Sequence, residues 1–411
     1  MKFFNRRLRW KKPVKADFVI IDYHNSSRSR SVLPEGYSVS VISTRPVSLY
    51  LHPKVLLLTF KYLTDVRLSL SRSYSYSFLL GTLKQIECVH IKAVLMCIKP
   101  KGVITGIDNS ERFAWLSDTC NEIPFFAIQN GFRLSFDALP HAPYSTQHLF
   151  CFGEREVRNF PKLGYKVNNF HPVGSLMASR HCQSITLDES LEYDLLIVSC
   201  WRGNIEFRQD VQDSMKSMEL MDRAIFEYLR TRNLKAAVIS RAERDTFDWV
   251  MPEMGCSEEE YYKSIYGDSV KFIDSNFAKR NVYTEMLKSR VILAAFPTTC
   301  LFEAFGWGKK VLYANFCEKE KYFSDVSEEI LFNYTGNNQE HFFSVLDDLM
   351  SFDNNVYIKK YQHLMRDYMN FPSNSTTTNV IKEKIKEITG TDSLNQPEHT
   401  GKQFANCSRS I

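Results

Sequence analysis

The sequence predicts an α/β protein built from two doubly wound domains, and three observations carry that expectation. Short apolar runs alternate with longer helical segments from Asp17 onward. The alternation breaks at a polar stretch, Ser179–Glu192, and then restarts. At 411 residues the chain is long enough for two separate cores. Apolar strands joined through helices build parallel sheets, because a parallel crossover needs about the length of a helix.

In the first half the apolar runs Phe18–Ile21, Ser38–Ile42, Gly102–Thr105, Pro124–Ile128, Leu149–Phe152 and Val167–Phe170 read as strands. Helices are expected between them at Lys54–Val66, Phe78–Ile98, Arg112–Asn121 and Glu154–Leu163. The second of these is apolar on more than one face and should be buried. After the polar stretch, strands are expected at Asp194–Ser199, Ala236–Ser240, Val270–Phe272, Val291–Ala295 and Val311–Ala314. Helices fall at Lys216–Arg232, Glu258–Tyr266, Val282–Ser289 and Cys300–Trp307, with closing helices at His341–Ser351, Val356–Met369 and Thr378–Thr389. The expected organisation is a basic segment (1–16), a first domain (17–178), a linker (179–192), a second domain (193–371) and a closing helix (372–389). Residues 390–411 are polar and poor in core residues, so disorder is expected there.

Composition narrows the classes. A hydrophobic share of 44% with 24% charged residues suits an ordinary folded protein. No window holds the roughly 18 uncharged apolar residues of a spanning helix, and no secretory signal is evident, so a cytoplasmic location is expected. The net charge of +5 is mild, and nucleic acid is not an expected partner. Much of that charge sits in the first fifteen residues, where Lys2, Arg6, Arg7, Arg9, Lys11, Lys12 and Lys15 surround Phe3, Phe4, Leu8 and Trp10. Such a segment can dock on the inner face of an anionic membrane, or it is simply a solvated, frayed end. The cysteines are scattered singly without a CxxC pair, so neither a zinc site nor a disulfide framework is indicated.

The most informative stretch is Phe296–Tyr313. A buried strand ends in Pro297-Thr298-Thr299, a helix follows, Gly308-Lys309-Lys310 closes it, and a second strand begins. The tip of such a helix lies at the carboxyl end of the strand, where N–H groups and hydroxyls hold phosphate. Glu303, one turn on, is placed to accept hydrogen bonds from a ribose. The unit suits the nucleotide part of an activated sugar.

Other strand-end loops carry the remaining candidates. Asp22 and His24 form an acid/base pair after the first strand, or else cap a turn. Asp108, beside Asn109, is a base or an N-cap. The loop Gln129-Asn130-Gly131-Phe132-Arg133 offers two amides and a guanidinium able to clamp an anion. Ser175 follows Gly174 at the end of the first half, with His171 either in the cleft or packed at the hinge. In the second half Arg202, Arg241 and Glu243 sit on strand-end loops, and the arginines suit phosphate oxygens. There is no GxGxxG, no HExxH, no GxSxG and no Asp-x-Asp pair. The segment around Gly308-Lys309 is not a phosphate loop, because Glu303 stands where the first glycine belongs and no Ser or Thr follows the lysine. No metal and no cofactor are expected.

Taken together, the Asp108-Asn109 loop, Ile128–Gly131 with Arg133, Cys151–Glu154, Pro172–Ser175, Pro297–Glu303 and Gly308–Val311 resemble bacterial surface-carbohydrate biosynthesis proteins, the glycosyltransferases of O-antigen and capsule loci. The Thr298–Val311 segment more distantly resembles the donor site of CDP-glycerol glycerophosphotransferases and of Kdo and sialic-acid transferases. The resemblance runs from about Asp17 to Phe371. It implies a GT-B-like fold, two Rossmann-like domains facing across a cleft, with the nucleotide held by the second. It implies metal-independent transfer of a sugar from a nucleotide-sugar donor to a lipid-linked saccharide. Thr298, Thr299 and Glu303 match the donor segment, and Arg241 and Glu243 match less closely. Phe296-Pro297 departs from the small polar residues usual in relatives and leaves the donor open. A CDP-alcohol-dependent polyol-phosphate transfer and a non-catalytic scaffold are the alternatives.

Overall fold

A computed structural model of the chain describes residues 7–22, 26–44, 48–65, 78–133, 145–182, 191–201, 209–241, 256–275, 281–317 and 333–390. Its strands are β1 (Arg7–Arg9), β2 (Phe18–Ile21), β3 (Val39–Ile42), β4 (Ser48–Tyr50), β5 (Gly102–Thr105), β6 (Phe125–Ile128), β7 (Ser145–Cys151), β8 (Lys166–Pro172), β9 (Tyr193–Val198), β10 (Ala236–Ile239), β11 (Val270–Ile273), β12 (Ser289–Ala294), β13 (Lys310–Asn315) and β14 (Asn333–Thr335). The helices are α1 (Ser26–Ser31), α2 (Pro53–Asp65), α3 (Phe78–Ile98), α4 (Glu111–Thr119), α5 (Glu154–Asn159), α6 (Leu176–Cys182), α7 (Gln209–Arg232), α8 (Glu258–Tyr266), α9 (Asn281–Leu287), α10 (Thr299–Gly306), α11 (Gln339–Ser351), α12 (Asn354–Tyr368) and α13 (Thr377–Thr389).

Two parallel sheets organise these elements. The first runs β3-β2-β5-β6-β7-β8 and the second β11-β10-β9-β12-β13-β14. Strands such as Phe18–Ile21, Phe125–Ile128 and Ala236–Ile239 are buried along their whole length. That explains their unbroken apolar character, since helices cover both faces of a parallel sheet. On one face of the first sheet Val19, Val103 and Phe125 pack with Val55 of α2, Ile91 and Val94 of α3 and Leu116 of α4. On the other, Phe18, Ile20 and Phe126 meet Ile381 and Ile385 of α13. The chain therefore leaves the first domain, builds the second, and returns. Full burial of each of those two isoleucines stabilises by roughly 1.5–3 kcal/mol.

Strand order places the crevices. Chain order reverses between β2 and β5 in the first sheet and between β9 and β12 in the second. At such switch points the loops diverge to opposite faces and leave a gap beyond the carboxyl ends of the strands.

Several elements differ from expectation. β1 and β4 form a separate parallel pair, and Arg9 Nη1 donates to Tyr50 Oη at 2.9 Å. Residues 7–9 are thus tied to the body and not frayed. α6 occupies Leu176–Cys182 and runs into the stretch expected as linker, while 183–190 lies outside the described residues. So do residues 1–6 and the tail from 391. Among the described residues no helix is long and apolar enough to cross a membrane.

Candidate functional site

The site is built around α10. β12 ends at Ala294, and after Pro297 the backbone of Thr298 adopts extended φ and ψ of −126° and 147°. Its hydroxyl accepts from Leu301 N at 3.4 Å, so Thr298 is the N-cap. Such a cap is worth about 1 kcal/mol and leaves the helix tip at the carboxyl end of β12. The charge of Arg241, at the end of β10, reaches Cys300 in the first turn. The loop after β10 that carries Arg241 and the positively polarised helix end after β12 therefore flank the second sheet's switch point from its two sides.

At its other end α10 has purely structural features. Gly306 is required by close packing, since a Cβ there would lie 2.6 Å from Met369 Cβ. Lys309 Nζ donates to Ser289 O at 3.0 Å and to Leu287 O at the end of α9. Lys310 Nζ donates to Leu349 O at 3.1 Å at the end of α11. Both ammonium groups satisfy carbonyls at helix ends, and burial lowers the pKa of Lys309 to about 8.

The carboxyl-end loops of the first sheet meet α10 directly. Phe132 N, in the loop after β6, donates to Thr299 Oγ1 at 3.0 Å. The Phe132 ring stacks on Phe302 with centroids 3.5 Å apart, and Phe302 stacks on Tyr368 at 5.3 Å. Arg155 lies over Phe132 at 4.5 Å. Asn370 N donates to Phe152 O at 2.7 Å. Gly153 is obligatory beside this contact, because a Cβ would fall 2.0 Å from Asp367 O.

Glu303 departs from expectation. Its carboxylate does not open onto a groove but is 2% exposed at the junction of the two domains. Ser175 Oγ donates to Oε1 and Tyr283 Oη to Oε2 at 3.1 Å. His181 stacks on Tyr283 at 4.9 Å, and the charge of Arg28 in α1 reaches the carboxylate. Burial pushes the Glu303 pKa up to about 7 against the opposing pull of these partners. Ser175 also accepts from Ala178 N at 3.2 Å, so it caps α6 while it holds Glu303.

In the first domain, Asp22 and Asp108 fall on the two strands of the switch point, after β2 and β5. Asp22 is buried and has a φ of +131°, a conformation that non-glycine residues avoid. Thr105 Oγ1 donates to Ile21 O at 3.0 Å and ties the two strand ends together. Asp108 is already engaged. Arg133 Nη2 donates to its Oδ1 at 2.7 Å and Arg133 Nε to its Oδ2 at 3.1 Å. Asn130 N donates to Oδ1 at 3.0 Å, and Arg133 also donates to Asn130 Oδ1 at 2.7 Å. The guanidinium expected to clamp an anion is thus closed on its neighbours. Gln129 is committed as well, accepting from Phe152 N at 2.9 Å and donating to Gly131 O at 3.0 Å. Asn109 is exposed.

His171 lies away from the cleft. Its Nε2 is 3.3 Å from His148 Nδ1 on the sheet face beneath α13, and burial lowers its pKa to about 4, aided by His148. His24, Arg202 and Glu243 lie outside the described residues. Tyr283, Arg28, Arg155 and the Phe132–Phe302–Tyr368 stack were not among the residues expected at the site. The glycine of Cys151-Phe152-Gly153-Glu154 was the available signal for the tight crossing.

No family model matches the chain, and no curated protein matches it significantly. Solved structures do. UDP-GlcNAc 2-epimerase from Methanocaldococcus jannaschii is 13% identical with a TM-score of 0.50, covering 91% of this chain and 99% of that one. UDP-GlcNAc 2-epimerase from Neisseria meningitidis is 14% identical with a TM-score of 0.49, covering 91% and 98%. A glycosyltransferase from Rickettsia africae is 12% identical with a TM-score of 0.49, covering 95% and 100%. At such identities the likeness concerns the fold, and the chain has a GT-B-like fold of two Rossmann-like domains.

Proposed function

We propose that the chain transfers a sugar from a nucleotide-sugar donor to a lipid-linked saccharide. The observation that carries this reading is the capped tip of α10 at the carboxyl end of β12, beside the switch point of the second sheet, with the charge of Arg241 after β10 felt in its first turn. A diphosphate or monophosphate placed there meets helix-end N–H groups, the hydroxyls of Thr298 and Thr299, and a guanidinium. These groups stabilise the charge that develops as the leaving phosphate departs, without need of a cation. Asp22, at the end of β2 beside the first sheet's switch point, serves as the base for the acceptor hydroxyl. Its strained backbone supports that role, since such strain concentrates where geometry is imposed by chemistry. Asp108 and Arg133 act as positioning residues that hold the loop carrying Phe132, and Ser175 and Glu303 hold the domains together.

Calorimetric titration with UDP, CMP and GDP tests the site. The epimerase of similar fold is named for a UDP-sugar, so UDP comes first. At least one nucleotide should bind at millimolar concentration or tighter, and Arg241→Ala should weaken it about tenfold. Failure of all three to bind refutes the donor site. A chain that binds nucleotide and loses turnover as Asp22→Asn supports the assigned base, whereas retained turnover removes it.

A further inference from the structure

Five of the ten exposed large apolar side chains among the described residues are Leu8, Trp10, Val14, Leu57 and Phe60, on two neighbouring segments. Trp10 is 72%, Leu57 71% and Phe60 68% exposed. The inner face of α2 is well anchored: Val55 is buried, and Thr59 Oγ1 lies 3.2 Å from His90 Nδ1 of α3. The same histidine accepts from Tyr50 N at 2.9 Å through Nε2 and fixes β4 to α3. The outer face of α2 therefore carries Lys54, Leu57, Phe60 and Lys61, spaced three and four residues apart. β1 lies against β4, and Leu51 N donates to Arg9 O at 2.8 Å, so residues 7–10 run beside the entry to α2. The charges of Lys12 and Lys54 both act on Cys97 at the end of α3.

Charge is one-sided here. Residues 7–16 and 48–64 contain no Asp or Glu, whereas Lys11, Lys12, Lys15, Lys54 and Lys61 are exposed. Large apolar tips set among lysines match an anionic bilayer, with the tips entering the acyl boundary and the ammonium groups on the headgroups. We propose that residues 8–15 and the outer face of α2 form a surface that docks on an anionic lipid bilayer. This surface does not depend on the nucleotide reading.

The test is co-sedimentation of the full chain with phosphatidylcholine vesicles and with vesicles containing roughly one-third phosphatidylglycerol. The chain should sediment with the anionic vesicles, weakly with the neutral ones, and less as salt rises from about 0.1 to about 0.5 M. Lys12→Gln/Lys54→Gln should weaken partitioning about 25-fold, from about fivefold for each lysine. Leu57→Ser/Phe60→Ser should weaken it at least about tenfold. All four side chains are exposed, so thermal unfolding should be unchanged and reports on the fold separately. No binding to anionic vesicles, equal binding to both kinds, or binding insensitive to both double variants overturns the proposal. A chain that ignores vesicles but dimerises, and loses dimerisation as Leu57→Ser/Phe60→Ser, shows a second copy as occupant and overturns it too.

Discussion

Glu303→Gln separates a sealed domain junction from an open one. The wild-type carboxylate has a pKa near 7 in the folded chain, against a usual value of 4.5, chiefly because it is buried. Below about pH 4.5 the group is protonated folded and unfolded, and contributes nothing to pH dependence. Between 4.5 and 7 the unfolded chain loses the proton while the folded chain keeps it, so stability falls as pH rises. Above 7 the full penalty is present. At about 1.4 kcal/mol per pH unit it amounts to roughly 3 kcal/mol. The amide of Glu303→Gln stays neutral throughout and can still bond Ser175 and Tyr283. Other titrating groups, including Glu156 and Asp222 with pKa values also near 7, cancel in the comparison.

The assay is urea unfolding of both proteins from pH 4.5 to 8, followed by tryptophan fluorescence. Trp307 reports directly, since its ring lies 5.5 Å from that of Tyr283. The variant should gain roughly 3 kcal/mol on the wild type across this range. Parallel profiles, with a gap that does not change with pH, would refute the burial of Glu303 and mean that its carboxylate faces water.

Three further substitutions probe the junction and the first-domain crevice. Gly153→Ala forces a methyl group into the space occupied by Asp367 O and should cost about 3 kcal/mol by thermal unfolding, and an unchanged midpoint would show that the domains are not in contact there. Asp108→Asn leaves the Arg133 guanidinium, whose side chain is 14% exposed, without its paired carboxylate and should cost about 3 kcal/mol. Loss of turnover at full stability would instead make Asp108 the base. Asp22→Gly relieves the φ of +131° and should stabilise by about 1 kcal/mol while turnover falls at least about a hundredfold. A destabilised Asp22→Gly protein would show that the carboxylate is structural.

The strands were legible because burial on both faces leaves a short apolar run bounded by Gly, Pro or Lys, as in Gly102–Thr105. α10 was legible because Pro297, Thr298 and Gly308 mark its start and stop. β1 and β4 were not, since Arg7–Arg9 and Ser48–Tyr50 are too short and too polar to show a period. α1, Ser-Ser-Arg-Ser-Arg-Ser, has no apolar face at all. The stripe Ile381–Ile385 announces a buried face on α13 but not which domain receives it. Glu303 shows the same limit at the site, because a carboxylate one turn into a helix reads alike whether it faces a ribose or a Ser–Tyr pair. Asp108 and Arg133 each looked available because their pairing spans 25 residues.

The closed junction has a consequence for ligand binding. Both oxygens of Glu303 are occupied by Ser175 and Tyr283. A nucleotide whose ribose reaches Glu303 must displace them and draw water to the carboxylate. The pKa then drops from about 7 toward 4.5, and near pH 6 the group releases most of a proton on binding. Titration of nucleotide at pH 6 in two buffers of different ionisation enthalpy measures that release directly. The apparent heats should be the same in both buffers, for the wild type as for Glu303→Gln, because nucleotide sits at Arg241 and the tip of α10 without disturbing the Glu303 contacts. A difference of close to one proton's worth for the wild type alone would mean that the ribose reaches Glu303, and the role of Glu303 as a sealed tie between the domains would be lost while the phosphate site remained.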